Sequence, residues 1–133
     1  MNTTHFLDRV AGNLFGTKKS PAIPSNYYIG LSITEPTMSG ANVSEPSVSA
    51  GYHRVLLNSL SEPLNGVVTN NANINFDEST SSWGTVTHFV IYDSEEGGNL
   101  LMYGSLSTPR VVETATVMTI REKYLKLSAQ NPA

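Results

Sequence analysis

The chain has 133 residues, a formal net charge of −3 and no cysteine, which excludes disulfide bonds and thiolate metal sites. Charged residues make up 14% of the sequence, and this acidic balance supplies no basic field for nucleic acid or anionic lipid. No apolar run approaches the ~20 residues of a membrane span. The length predicts one domain with its own core over residues 1–133.

A short amphipathic helix is predicted at the start of the chain, over residues 3–15. Thr3 or Thr4 is the expected N-cap, and Gly12 or Gly16 is the expected end. The apolar side chains that share one helical face are Phe6, Val10 and Leu14. This stripe must dock either on the sheet of its own domain or on a partner, because so short a helix is marginal alone. We expect the arm, residues 1–16, to attach the protein to a partner.

The first predicted strand, residues 27–32, is followed by a long segment without strand periodicity. This segment, residues 34–51, is rich in proline, glycine and serine. Long loops of this kind are usually functional or mobile. Its apolar side chains are Met38, Val43 and Val48, and they either contact another chain or fold back on their own sheet.

Further strands are predicted over residues 52–60, 67–76, 85–93, 100–107, 113–120 and 123–128. Asn65-Gly66 is a hairpin signal, because both residue types tolerate positive φ. The run 85–93 is apolar on both faces, as in a central strand. One face of this strand is expected to carry Val86, His88, Val90 and Tyr92. The opposite face is expected to carry Thr87, Phe89 and Ile91. About seven short strands predict an all-β antiparallel sandwich or barrel, with the β core over residues 27–128.

Catalytic and metal-binding patterns are weak. His88, Asp93 and a serine could form a hydrolytic triad, but no G-x-S-x-G motif is present and His88 lies within a strand. The turn from Asp93 to Asn99 resembles a calcium loop only faintly, and the three histidines lack metal-ligand spacing. No run of Lys and Arg with interleaved aromatics is apparent. We therefore predict a non-enzymatic protein with no catalytic residues, cofactor or metal.

Short motifs along the chain resemble a family of small bacteriophage structural proteins, labelled tail-fibre or head-fibre proteins. The motifs are YIGLS and TEP, SEP and GYHRV, INF, WGTVTHFVIYD, and GGNLLMYGSLSTP. They extend from about residue 27 to about residue 127. The resemblance implies a β-rich, non-enzymatic virion component, and the stretch from Trp83 to Pro109 is then a scaffold hairpin.

The resemblance also implies partners and a location. We expect a capsid-surface decoration or head-fibre protein that binds the capsid lattice. The alternative is a tail or baseplate fibre module that binds a host-surface glycan. The expected partners are major capsid or tail proteins and further copies of the chain, with a trimer as one arrangement, and neither nucleic acid nor membrane. The protein is expected in the virion after synthesis in the host bacterial cytoplasm, since residues 1–10 lack a signal-peptide pattern. The expected interface residues are Phe6, Val10, Leu14, Met38, Val43 and Val48.

Overall fold

A single helix and eight antiparallel strands make up the regular structure of the described residues, 1–16 and 22–128, in a computed structural model. The elements are α1 (Thr4–Phe15), β1 (Tyr28–Ser32), β2 (Val55–Leu56), β3 (Val68–Thr69), β4 (Ile74–Asn75), β5 (Gly84–Tyr92), β6 (Leu100–Val112), β7 (Thr119–Ile120) and β8 (Lys126–Leu127). A turn of 3₁₀ helix, Val48–Ala50, closes the long loop. The predicted all-β antiparallel class with one N-terminal helix is confirmed.

The main sheet has four strands in the order β2-β1-β5-β6. β5 lies between β1 and β6, so the prediction of a central strand is confirmed. The predicted assignment of β5 side chains to the two faces of the sheet is wrong near the start of the strand. The register with β6 breaks between Val86 and His88, and Val86 packs in the same core as Ile91 rather than with Val90. The alternation that the sequence pattern assumes for β5 stops at this register break, where a bulge also occurs.

The bulge lies on β6. His88 is opposite Ser105 and Val86 is opposite Arg110, so four β6 residues (106–109) face Thr87 alone. Pro109, within this segment, has no N–H to donate to a ladder, and such residues are confined to bulges and edges. This segment therefore projects from the sheet.

Two small ladders, β3 with β8 and β4 with β7, share the main core with one face of the sheet. These strands are shorter than predicted because buried polar side chains take over the backbone hydrogen bonds. The Asn70 side chain donates to the carbonyls of Ala72 and Arg121 and accepts from the N–H of Leu125. Buried Ser79 similarly accepts from the N–H of Thr116 at 3.0 Å. The polypeptide around both side chains is ordered without forming strands.

The predicted hairpin turn at Asn65-Gly66 is confirmed. Both residues have positive φ, 54° and 78°, and Leu64 and Val67 pair across them. Gly30, in the middle of β1, has a different role. A Cβ at this position would lie 2.3 Å from the Tyr52 hydroxyl oxygen, so only glycine lets that phenol reach the backbone of β1.

The start of the chain is built into the fold. Thr3 is fully buried: its N–H donates to the carbonyl of Leu101 at 2.9 Å, and its hydroxyl donates to that of Leu100 at 2.7 Å. The same hydroxyl caps α1 by accepting from the N–H of Phe6, whose ring lies in the main core. The described residues contain no helix long and apolar enough to cross a membrane.

Candidate functional site

The predicted apolar stripe of α1 divides into two parts. Phe6 is buried in the core and Val10 is half-buried against it, so Phe6 offers little surface to a partner in this fold. Leu14 is 70% exposed, and Phe15, which the stripe does not include, is 71% exposed. The helix starts at the main sheet and its last turn leaves the core. This last turn carries the exposed apolar surface of the arm.

The long loop contributes one residue to the protein's own core and two to its surface. Val43 packs against the second apolar cluster, formed by residues of β5 and β6. Met38 and Val48 are 42% and 60% exposed, respectively. The carbonyl of Met38 accepts from the N–H of Thr4 at 2.9 Å, so the loop also supports the start of α1. Of the three loop residues predicted to touch a partner, Met38 and Val48 remain accessible.

His88 and Asp93 are not brought together. Five strand positions separate them, or roughly 17 Å along β5. Asp93 instead accepts from the Arg9 guanidinium at 2.9 Å and from the N–H of Asn99 at 2.8 Å. His88 contacts the Thr87 hydroxyl through Nδ1. This geometry gives no support to a hydrolytic triad, and the Asp93 carboxylate serves to join α1 to the β5–β6 turn.

Asp93→Asn is expected to lower the free energy of unfolding at pH 7 by about 1–3 kcal/mol, because Arg9 loses its buried ionic partner. Burial opposes ionisation of Asp93, but hydrogen bonds from Asn99 and Arg9 outweigh it and hold the pKa below its ordinary value. A lowered folded pKa means that the stabilisation is present above about pH 4 and is lost on further acidification. Denaturant titrations from pH 7 to pH 2 measure this difference.

The difference in unfolding free energy between wild type and Asp93→Asn should therefore shrink as the pH falls below the ordinary pKa range of carboxyl groups. Asp8→Asn is the matched control, since Asp8 is exposed on α1. It should change stability by less than about 0.5 kcal/mol. An Asp93→Asn variant as stable as wild type at pH 7 would contradict the assigned role.

The most connected polar group in the described residues is the Arg54 guanidinium. Its Nε and Nη2 donate to the two carboxylate oxygens of Glu45 at 3.0 and 2.6 Å. Its Nη1 donates to the carbonyls of Ser94 and Gly97 at 2.9 and 2.7 Å. The guanidinium carbon lies 3.5 Å from the ring centroid of Tyr92, a cation–π geometry. We call these contacts the Arg54 network.

Tyr52 extends the Arg54 network into the sheet. Its hydroxyl donates to Glu45 and accepts from the N–H of Leu31 at 3.0 Å. Burial, followed by the nearby Glu45 carboxylate, raises the pKa of Tyr52, so the phenol stays protonated and donating. Burial alone would lower the pKa of Arg54, but Glu45 raises it above its usual value. A hydrogen-bonded ion pair of this kind fixes the geometry of the segments that it joins.

The described residues also do not bring a set of metal ligands together. Within residues 1–16 and 22–128 no group of three His, Asp or Glu side chains could hold a metal ion. The calcium-like turn uses Asp93 for Arg9 and Asn99, while Glu95 and Glu96 are exposed.

The sequence matches the protein family described as Podophage GP4 fiber I protein gp80, over residues 3–128. The chain belongs to this family of phage fibre proteins. The predicted recognition of a phage fibre protein is confirmed, and so is its coarse role as a structural component of the virion. No curated protein matches the sequence of this fibre protein. The absence of enzymatic activity, the partners and the interface residues stay predictions.

Sequence reasoning missed the Arg54 network in this fibre protein. Glu45 and Arg54 are nine residues apart, both outside helices and strands, and the two carbonyls that Arg54 also bonds lie 40 and 43 residues further along the chain. No spacing in the sequence indicates such a contact. The helical pattern in the sequence identified Leu14 as a candidate interface residue. It did not identify Phe15, because Phe15 lies beside the predicted apolar stripe rather than on it.

Proposed function

We propose that this structural fibre protein attaches to the phage particle through the last turn of α1. The observation that supports this function is the exposure of Leu14 and Phe15, adjacent large apolar side chains on a helix whose other end is fixed in the core. Exposed apolar groups on a rigid element are typical of contact sites. Arg9 and Asp93 hold the helix in place, so the turn is presented in a defined orientation.

The proposed partner is the capsid lattice, with a tail protein as the second location. Burying a large apolar side chain contributes about 1.5–3 kcal/mol, so one copy would bind weakly through two such residues. A symmetric homo-oligomer, a trimer for example, would engage several helices at once and strengthen the attachment. The proposal therefore joins oligomerisation to particle binding.

The double variant Leu14→Ala/Phe15→Ala is expected to lose most binding to phage particles that lack the protein, with an unchanged Tm. Alanine preserves helix propensity, so the variant removes apolar surface without disturbing α1. Co-sedimentation with purified empty capsids and with purified tails measures the binding and distinguishes the two locations. Leu64→Ala is the matched control, because Leu64 is 75% exposed on the distant hairpin turn. Full binding by the double variant would refute the proposed attachment.

The tail alternative carries a second function, binding of a host-surface glycan. The specific observation that favours a carbohydrate role is a basic groove on the β core. This groove is separate from α1.

A further inference from the structure

A groove of about 430 Å³ lies between the projecting segment of β6 and residues 118–126. One wall contains residues 105–108 and Arg110, which include most of the bulge opposite Thr87. The other wall contains β7 and the start of β8. Its apolar lining includes half-buried Phe89 and buried Ile120 and Leu125. The volume is in the range of small-ligand sites, about 300–1,000 Å³.

The rim of this groove is basic. Its cationic side chains are Arg110, Arg121, Lys123 and Lys126. Within the described residues, the other two basic side chains, Arg9 and Arg54, are in ion pairs, whereas the four at the groove make none. No carboxylate lines the groove; Glu122 belongs to the same segment but is not part of the lining. A chain of net charge −3 thus places the unpaired Lys and Arg side chains of its described residues at one concave site.

We propose that this groove binds an acidic oligosaccharide. The cations complement carboxylate, sulfate or phosphate substituents, while the apolar lining suits the C–H face of a sugar ring. Tyr124 lies on the lining and is 67% exposed, so its ring is free to stack on that face. Hydroxyls of Ser105, Ser107 and Thr108 on the β6 wall can exchange hydrogen bonds with sugar hydroxyls.

The combination of cations, hydroxyls and an exposed aromatic ring favours an acidic sugar over other anionic ligands. The cations alone complement an acidic peptide, whereas a sugar also uses the exposed Tyr124 ring and the row of hydroxyls on the β6 wall. Single-stranded nucleic acid usually stacks successive bases on several aromatics, and the groove has one exposed aromatic ring. The proposal is independent of the attachment through α1, because no residue of α1 lines the groove.

Titration calorimetry of the full chain with tetragalacturonate and with a heparin tetrasaccharide tests the proposal. We expect at least one of them to bind, and binding to weaken as NaCl is raised, since the cations are exposed. The carboxyl-reduced, neutral form of the tetragalacturonate should bind at least about tenfold more weakly, given the strength of charged hydrogen bonds. A glutamate octapeptide and an oligo(dT) octamer are the competing anionic probes.

Arg121→Gln/Lys126→Gln and, separately, Tyr124→Ala should each weaken tetrasaccharide binding about tenfold without a change in Tm. The charge control, Asn58→Asp/Leu64→Glu, shifts the net charge equally at exposed positions outside the groove. The control for loss of an exposed apolar side chain is Leu56→Ala, on β2 outside the groove. Both controls should bind as wild type does.

Three outcomes would overturn the proposal. The first is no binding of either acidic tetrasaccharide at millimolar concentration. The second is tighter binding of the glutamate peptide or of oligo(dT), which would assign the groove to a different ligand class. The third is unchanged tetrasaccharide binding in both groove variants, which would place any sugar site elsewhere. Failure of particle attachment in the α1 variants bears on the proposed attachment alone.

Discussion

Removal of residues 1–16 is expected to unfold the protein or to lower its Tm by more than about 10 °C. The deletion removes the Phe6 ring from the core, a change that alone costs about 3–5 kcal/mol in comparable cores. It also removes the hydrogen bonds of Thr3 to β6 and the ion pair of Arg9 with Asp93. Thermal unfolding followed by circular dichroism measures the effect.

A point variant keeps this expectation testable if the truncated chain cannot be purified. Phe6→Ala in the full chain should lose about 3–5 kcal/mol of unfolding free energy. Phe15→Ala is the matched control: the same side chain is removed from the same helix at an exposed position, and stability should change by less than about 0.5 kcal/mol. Equal stability of the two variants would mean that α1 does not belong to the core.

Arg54→Ala is expected to cost about 3–5 kcal/mol of unfolding free energy, as is usual when one member of a buried ion pair is removed. The variant leaves the Glu45 carboxylate without its cation and frees the carbonyls of Ser94 and Gly97. Arg54→Lys should recover only part of the loss. One ammonium cannot bond both carboxylate oxygens and both carbonyls while lying over the ring of Tyr92.

A double-mutant cycle separates the pair from the surrounding contacts. Glu45→Ala/Arg54→Ala should cost less than the sum of the two single variants, because each single variant leaves an unpaired charge. Arg121→Ala is the control, since Arg121 is exposed and makes no ion pair with the described residues. Additive losses in the cycle would show that Arg54 and Glu45 do not act as a pair.

The sequence carries the local features of this fold and little of its long-range detail. Asn65-Gly66 predicts its own turn because the required φ values belong to those residue types. The apolar run of β5 likewise predicts a central strand. The boundaries of β7 and β8 could not be predicted, since buried Asn70 and Ser79 bond backbone next to these strands that would otherwise pair. The division of β5 faces fails at a bulge that depends on its partner strand.

The surface residues likewise divide into features that local sequence predicts and features that depend on long-range contacts. Helical spacing correctly groups Phe6 with Leu14, yet spacing does not tell which end of the stripe meets the core. The basic residues at positions 121, 123 and 126 are close in sequence, but they become one side of a groove only because the bulge of β6 faces them. The Arg54 network depends wholly on contacts between distant segments.

The bonds between Thr3 and β6 also set an order of events during synthesis. Thr3 and Leu101 are 98 positions apart, so translation at about 5–20 residues per second separates their emergence by roughly 5–20 s. Throughout that interval the ring of Phe6 lacks the sheet on which it packs, and the outer edge of β6 does not yet exist. The segment of the described chain that is synthesised first is therefore among the last to pack. Until it packs, nascent chains on neighbouring ribosomes expose apolar surface.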